Sequence, residues 1–298
     1  MQAFAPGIYP RSEELVQATR DLDRGRATQD AVDGQVARDL ERLVAAQREA
    51  GLDLLFDGML RWQDLFRPLV EASEGLEPGA LTRFLDTNTF YRAPRATGAP
   101  RLTARLDARY VAPLPGPRLV TLPSPLALAR GTGLSPREMA EGVLKPQLEA
   151  LAVALVVLTE PLLAREESPD RDGLADALDA LTGGPPLALQ IVFADSGPLL
   201  PRLAELPVEG IGVDFYATRL EEVPEGFPKL LLAGVVDARS SVLEDPAEIA
   251  EFAARLRERA AGEIALCPNG DLQFVSEPVA REKLSRLGQA RSAIGEAA

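Results

Sequence analysis

Histidine is absent from the 298 residues, and cysteine occurs once, at position 267. The first absence removes the usual proton shuttle near neutral pH and the commonest metal ligand, so Ser-His-Asp and Cys-His mechanisms are excluded. A zinc centre would have Cys267 as its one soft ligand, far from the usual Cys and His sets. One cysteine cannot form an intramolecular disulfide, and neither a run of about 20 apolar residues nor a signal-type N-terminus is found. These features lead to an expectation of a cytoplasmic protein without a membrane partner. Lysine is scarce too, at 145, 229 and 283. With 45 acidic against 32 basic side chains the net charge is −13. That charge opposes phosphate backbones, so no nucleic-acid partner is expected. What is present in quantity is apolar material, 46% against 26% charged, enough for a sizeable core.

The pattern alternates helix and strand. Two helical runs lie between Ser12 and Gly51, interrupted at Gly25; Leu15, Thr19 and Leu22 share one face, followed by Val32, Val36, Leu40, Leu43 and Ala46. Ser12 is positioned as an N-cap and Gly51 just past a C-terminus. Buried strands are predicted at Ala3–Ile8, Leu52–Phe56, Leu119–Leu122, Val153–Leu158, Leu187–Phe193, Gly210–Val213, Leu230–Val236 and Ile264–Leu266. Helices are predicted over Pro136–Leu151, Gly173–Leu181, Pro198–Leu206 and Pro246–Ala261, and from Pro278 onward, with Ala297 and Ala298 fraying. Eight such units in one domain over residues 1–298 imply an α/β fold, a (β/α)8 TIM barrel, with an open doubly wound sheet as the alternative. Leu81–Ala93 breaks the rhythm and reads as a hairpin or extended loop inserted between strands 2 and 3, over one mouth.

Chemistry in this class sits at the C-terminal ends of the strands. Asp57, Glu160, Asp195, Asp214 and Asp237 stand at or just past five of them. Together they would make a negative bowl suited to an ammonium group, a cationic substrate or a hard metal ion. Alternatively they pair with Arg11, Arg61, Arg92 and Arg239, or cap the next helix. Asn88 and Tyr91 on the inserted segment either reach over a ligand or belong to a structural hairpin. Cys267, with no histidine to activate it, reads as a buried filler rather than a reactive thiol.

Six phrases then occur in order: PGIYPRSEEL from Pro6, QREAGLDLLFDG ending at Gly58, LTEPLL around Glu160, FADSGPLLPRLAELPVEGIGVD ending at Asp214, AGVVDARS around Asp237, and CPNGDLQFVSEPVAREKL ending at Leu284. They resemble the cobalamin-independent methionine synthase family. The resemblance implies a barrel of the methionine synthase and uroporphyrinogen decarboxylase type. It also implies methyl transfer, from methyltetrahydrofolate or another donor, to a zinc-bound homocysteine thiol. The family's zinc ligands fall here on Gln190, Val192, Asp214 and Gly270, so no metal or other cofactor is expected in this chain. Its Gly-Ser after strand 1 reads Gly7-Ile8, and its Asp-Gly-Glu after strand 2 reads Asp57-Gly58-Met59. Its Asp-Glu-Pro after strand 4 reads Thr159-Glu160-Pro161. The phrases LPVEGIGVD and GVVDARS look closest to the family's zinc-free N-terminal barrel.

On this resemblance Glu160, Asp214 and Asp237 are candidate catalytic residues. Asp57, Arg11, Arg61, Asn88, Tyr91 and Asp195 are candidates for binding a small amino-acid or folate-type substrate. Three roles remain: a divergent methyltransferase, a non-catalytic barrel that docks on a separate zinc-bearing methionine synthase barrel, and a decarboxylase-like reaction in which Arg11, Arg61 and Arg92 bind carboxylates.

Overall fold

Local capping chemistry decides where the first helices start and stop. In the computed structural model, which describes residues 1–166 and 170–296, Ser12 caps α1 (Glu13–Asp23), its Oγ accepting from the Leu15 amide at 3.1 Å. Glu13 and Glu14 put negative charge on the positive end of that helix dipole. Gly25 follows in the left-handed region that halts a helix. Thr28 caps α2 (Gln29–Glu49), and Gly51 stands just past its end. The remaining helices are α3 (Arg67–Glu71), α4 (Pro125–Ala129), α5 (Pro136–Met139), α6 (Lys145–Leu148), α7 (Arg171–Ala180), α8 (Leu200–Leu203), α9 (Pro246–Arg259) and α10 (Glu277–Glu296). Ala297 and Ala298 lie outside the described residues.

Two predicted helices are shorter or less regular than their periodicity suggests. Residues 140–144, between α5 and α6, form a π turn. Pro146 has no N–H to offer the Gly142 carbonyl, so the α ladder is broken there. The bare Gly142 backbone also abuts the Pro100 carbonyl, where a Cβ would collide. The helix expected over 198–206 contracts to a 3-10 turn and α8, since Leu206 precedes Pro207 and is biased away from helical geometry.

Among the described residues nine strands form: β1 (Gln2–Ala3), β2 (Ser73–Arg83), β3 (Phe90–Leu102), β4 (Leu119–Pro123), β5 (Leu155–Glu160), β6 (Leu187–Ile191), β7 (Gly210–Asp214), β8 (Leu230–Val236) and β9 (Ile264–Pro268). Seven make a curled parallel sheet in the order β1-β9-β8-β7-β6-β5-β4. That order follows the sequence without the reversal of a doubly wound sheet, so the open-sheet alternative is set aside. Every residue of β5 and β6 is buried, as a parallel sheet covered on both faces requires.

The expected first strand, Ala3–Ile8, pairs over only two residues, because Pro6 lacks an amide and Gly7 turns to φ +90°. The expected strand at 52–56 makes a single bridge, Leu55 to Arg118. Its amides nevertheless reach both edges of the sheet: Asp53 N donates to Ala3 O at 2.9 Å and Leu55 N to Pro117 O at 3.0 Å.

The inserted segment is longer than Leu81–Ala93. β2 and β3 form a two-stranded antiparallel sheet from Ser73 to Leu102. Alternation along it turns Phe84 and Tyr91 toward the body and leaves Leu81 and Phe90 outside.

Candidate functional site

Parallel strands leave their carboxyl ends as the natural place for polar groups; β7 ends in Asp214, and Asp237 and Asn269 directly follow β8 and β9. Asp214 is 1% exposed. Its Oδ1 accepts from Asn269 Nδ2 at 3.1 Å and from the Tyr216 amide at 2.9 Å. Its Oδ2 is buried with no hydrogen-bond partner among the described residues. Asn269 also reaches Asp237 Oδ1 at 3.5 Å and accepts from the Ala238 amide at 2.9 Å. Burial pushes the Asp214 carboxyl above its ordinary range, while Asn269, the Tyr216 amide and Arg239 pull it back. An unsatisfied buried carboxylate oxygen is costly, so a ligand N–H or O–H brought to Oδ2 would be held strongly.

Glu160 belongs to a different environment. It is fully buried; Oε2 accepts from Ser124 Oγ, and Oε1 accepts from the amides of Leu162 at 2.6 Å and Leu163 at 2.9 Å. Burial raises its carboxyl despite these bonds. Ser124 in turn caps α4. The acids therefore do not line one open bowl. Asp57 accepts from the Met59 and Ala112 amides, each at 2.9 Å, and burial again pushes it upward. Asp195 is exposed and closes a local turn onto the Gly197 amide.

The remaining candidates disperse. Arg11 donates to Trp62 O at 2.6 Å and lines a cavity of about 630 Å³ with Arg42 and Arg281, beside the starts of α1 and α10. Arg61 pairs with Asp33 of α2 at 2.5 Å. Asn88 sits at the exposed hairpin turn and accepts from Arg83. Tyr91 packs on Phe66, with ring centroids 5.1 Å apart.

Sequence reading passed over the group that covers the strand ends. Phe193 has φ +56°, a conformation that turns it where an ordinary strand extension would not. Its ring meets the bare backbone of Gly270, where any Cβ would collide. It meets Phe274 edge-on at 5.5 Å, Phe274 stacks nearly parallel on Phe84 at 6.2 Å, and Phe84 meets Tyr91 edge-on at 6.1 Å. The Arg239 guanidinium lies 4.5 Å from the Phe193 ring centroid and 3.4 Å from Asp86 on the hairpin turn. An aromatic chain thus runs from the strand ends to the hairpin. Asn269 and Asp271 were visible only as part of CPNGD. Asp271 is buried under Gly7, and burial lifts its carboxyl to about 6.

Gln190, Val192 and Cys267 complete the surroundings. Gln190 Nε2 donates to Pro268 O at 2.9 Å and lies 4.0 Å from Cys267 Sγ. Val192 is buried and apolar. Burial, helped by the Asp214 charge, holds the Cys267 thiol well above its usual range, so it is protonated. Among the described residues no group of three or more Cys, Asp or Glu side chains is placed to hold a metal ion. None of the described helices is long and apolar enough to cross a membrane.

Comparison with known proteins gives a consistent picture. The family described as "Cobalamin-independent synthase, N-terminal domain" matches residues 138–261. A 5-methyltetrahydropteroyltriglutamate–homocysteine methyltransferase of Mycobacterium tuberculosis is 30% identical over 287 residues, covering 79% of this chain and 37% of that protein. Its counterpart in Rhodococcus jostii is 27% identical, with the same coverage. The chain therefore spans little more than a third of the length of these curated relatives. Among solved structures, a B12-independent methionine synthase from a Shewanella species, in complex with selenomethionine, superposes with a TM-score of 0.80. At 17% identity it covers 99% of this chain and 98% of its own, and the likeness is one of fold.

Proposed function

The chain is related to the cobalamin-independent methionine synthases through their N-terminal domain, and from that premise we propose that it is a zinc-free barrel of a methionine synthase system. Residues 52–56 act as the eighth stave, closing a (β/α)8 barrel between β1 and β4, with the β2–β3 hairpin inserted after that stave. On this reading residues 1–298 form one domain. The backbone hydrogen bonds of Asp53 and Leu55 to both sheet edges support closure. The protein works in the cytoplasm, where a lone cysteine stays reduced.

The single observation that carries the proposal is the state of the positions where the family's zinc donors fall. A zinc ion does not fit them. Gln190 turns its Nε2 to Pro268 O and has only a neutral amide oxygen where the family has an imidazole, and Val192 offers no donor atom. The space beside Gly270 is filled by the Phe193 ring. Of the four positions Asp214 is the one with a carboxylate, its Oδ2 free, and one carboxylate with one neutral amide oxygen falls short of the Cys and His set of a tetrahedral zinc site. Activation of the homocysteine thiol therefore falls to a separate zinc-bearing barrel, and this chain serves the reaction by binding an amino-acid or folate-type substrate. In that role Asp214 and Asp237, joined by Asn269, present a carboxylate pair to an amino group. Glu160 contributes by holding Ser124 and the 161–163 turn in place.

The test is metal analysis of the purified chain followed by methyl transfer to homocysteine, with the chain alone and mixed with a zinc-bearing methionine synthase barrel. Substoichiometric zinc with transfer only in the mixture is the expected result. Stoichiometric zinc with transfer by the chain alone overturns the proposal. The second reading, a purely non-catalytic docking subunit, is favoured by the aromatic cover over the strand ends. It predicts no stabilisation by homocysteine, methionine or folates in a thermal-shift screen, whereas a substrate-binding barrel is stabilised by at least one of them.

A further inference from the structure

Among the described residues five large apolar side chains are exposed: Leu81, Phe90, Tyr216, Val242 and Leu243. They fall into two patches. Leu81 and Phe90 share the outer face of the hairpin, because Leu81 is in register with Arg92 and Phe90 with Arg83. That face is basic: Arg83 and Arg92 donate to Thr87 O, Asn88 and Gly79 O, and neither forms an ion pair among the described residues.

Tyr216, Val242 and Leu243 line a groove of about 520 Å³ whose polar rim is acidic, with Asp237, Asp245 and Glu248. The groove is held open from within. Lys283, whose side chain is fully buried, donates to Val242 O at 2.7 Å and to both oxygens of Glu244, and Glu244 accepts from the Asp237 amide and the Tyr216 hydroxyl. With its carbonyl pinned inward, Val242 projects its side chain outward, 73% exposed. The Arg239–Asp86 ion pair ties the hairpin turn to the loop that carries this groove. A basic apolar ridge and an acidic apolar groove therefore lie side by side.

We propose that this ridge and groove form a two-fold interface between two copies of the chain, the hairpin ridge of each copy seated in the groove of the other. The surface is self-complementary. An isologous contact needs one surface that carries both halves of a match, and here apolar centres are paired with opposite charges. Association of this kind uses the apolar side chains for affinity and the charges for register.

Sedimentation velocity on the whole chain, from low to high micromolar concentration, reads the proposal directly. A reversible monomer–dimer equilibrium that weakens with added salt is expected. Val242→Glu should raise the dimer dissociation constant roughly tenfold or more. Arg83→Glu with Arg92→Glu in one chain, and Glu248→Arg in another, should each leave monomers. Mixing those two variants restores attraction in both contacts and should yield a heterodimer. These are surface changes, and a melting temperature equal to the parent's at a concentration where the parent is monomeric separates lost association from lost folding. A chain that stays monomeric throughout the range overturns the proposal, as does a dimer indifferent to Val242→Glu. Association with a zinc-bearing methionine synthase barrel by a chain that does not self-associate overturns it too, and leaves the functional reading above intact.

Discussion

Glu160 and Asp214 both end apolar parallel strands, both are buried, and burial raises both carboxyl groups, yet they have opposite fates. Both oxygens of Glu160 are occupied, by a hydroxyl and two amides from its own neighbourhood. Asp214 has one occupied oxygen and one left bare. A carboxylate whose acceptors are filled by the chain is part of the scaffold, whereas one with a free buried oxygen is prepared for something outside the chain. Position at a strand end does not separate the two cases; the neighbours do.

Replacing Glu160 should do the most damage. Glu160→Ala strands the buried amides of Leu162 and Leu163 and frees the α4 cap hydroxyl, with an expected loss of about 3 kcal/mol in urea unfolding. Glu160→Gln keeps an acceptor for those amides and should cost less than about 1 kcal/mol. Equal losses for the two variants would show that the side chain acts through packing.

Asp271 is an intermediate case, buried like Glu160 but partnered chiefly by Gln273 at 2.9 Å. Its carboxyl is raised from 3.8 to about 6 in the folded chain, so the folded state prefers the protonated form. The stability this group contributes is fully present below pH 3.8 and is lost as pH rises through about 6. Asp271→Asn cannot ionise. Its unfolding free energy should therefore gain on the parent across that window, by on the order of 3 kcal/mol at neutral pH, read as a rise in melting temperature with pH relative to the parent. A difference that does not change with pH would remove Asp271 from the set of strained acids.

Asp214→Asn should perturb stability least, by about 1 kcal/mol, since Oδ1 keeps its bonds and an uncharged amide NH2 takes the place of the bare oxygen. Any thermal shift produced by homocysteine, methionine or a folate should disappear in this variant. Retention of the shift would move the ligand away from the Asp214–Asn269–Asp237 corner.

The elements with strong local signals were legible in the sequence. Ser12, Gly25 and Gly51 bound two helices as their chemistry demands, and Leu230–Val236 is the strand its apolar run predicts. The weak points were those where distant residues intervene. Leu52–Phe56 is apolar enough for a strand but pairs by one bridge, and the hairpin extends well beyond Leu81–Ala93 because register with a partner, not composition, defines its length. At the site, five of the strand-end acids could be named, Asp271 was passed over, and the arginines offered as partners did not identify the amides that engage them. Asp57, Asp195 and Glu160 are engaged by amides, and Arg61 by Asp33, through contacts that periodicity does not encode.

By itself the sequence determined the alternation of strands and helices, the excess of acid at the strand ends and the absence of histidine, because these depend on residue type and spacing along the chain. Only the tertiary structure decided that Phe193 lies against Gly270, that the hairpin turn meets Arg239, and that one oxygen of Asp214 stays bare. Those outcomes depend on which side chains are brought within a few ångströms of one another across the fold, and solvation and hydrogen bonding act over that distance regardless of separation in sequence.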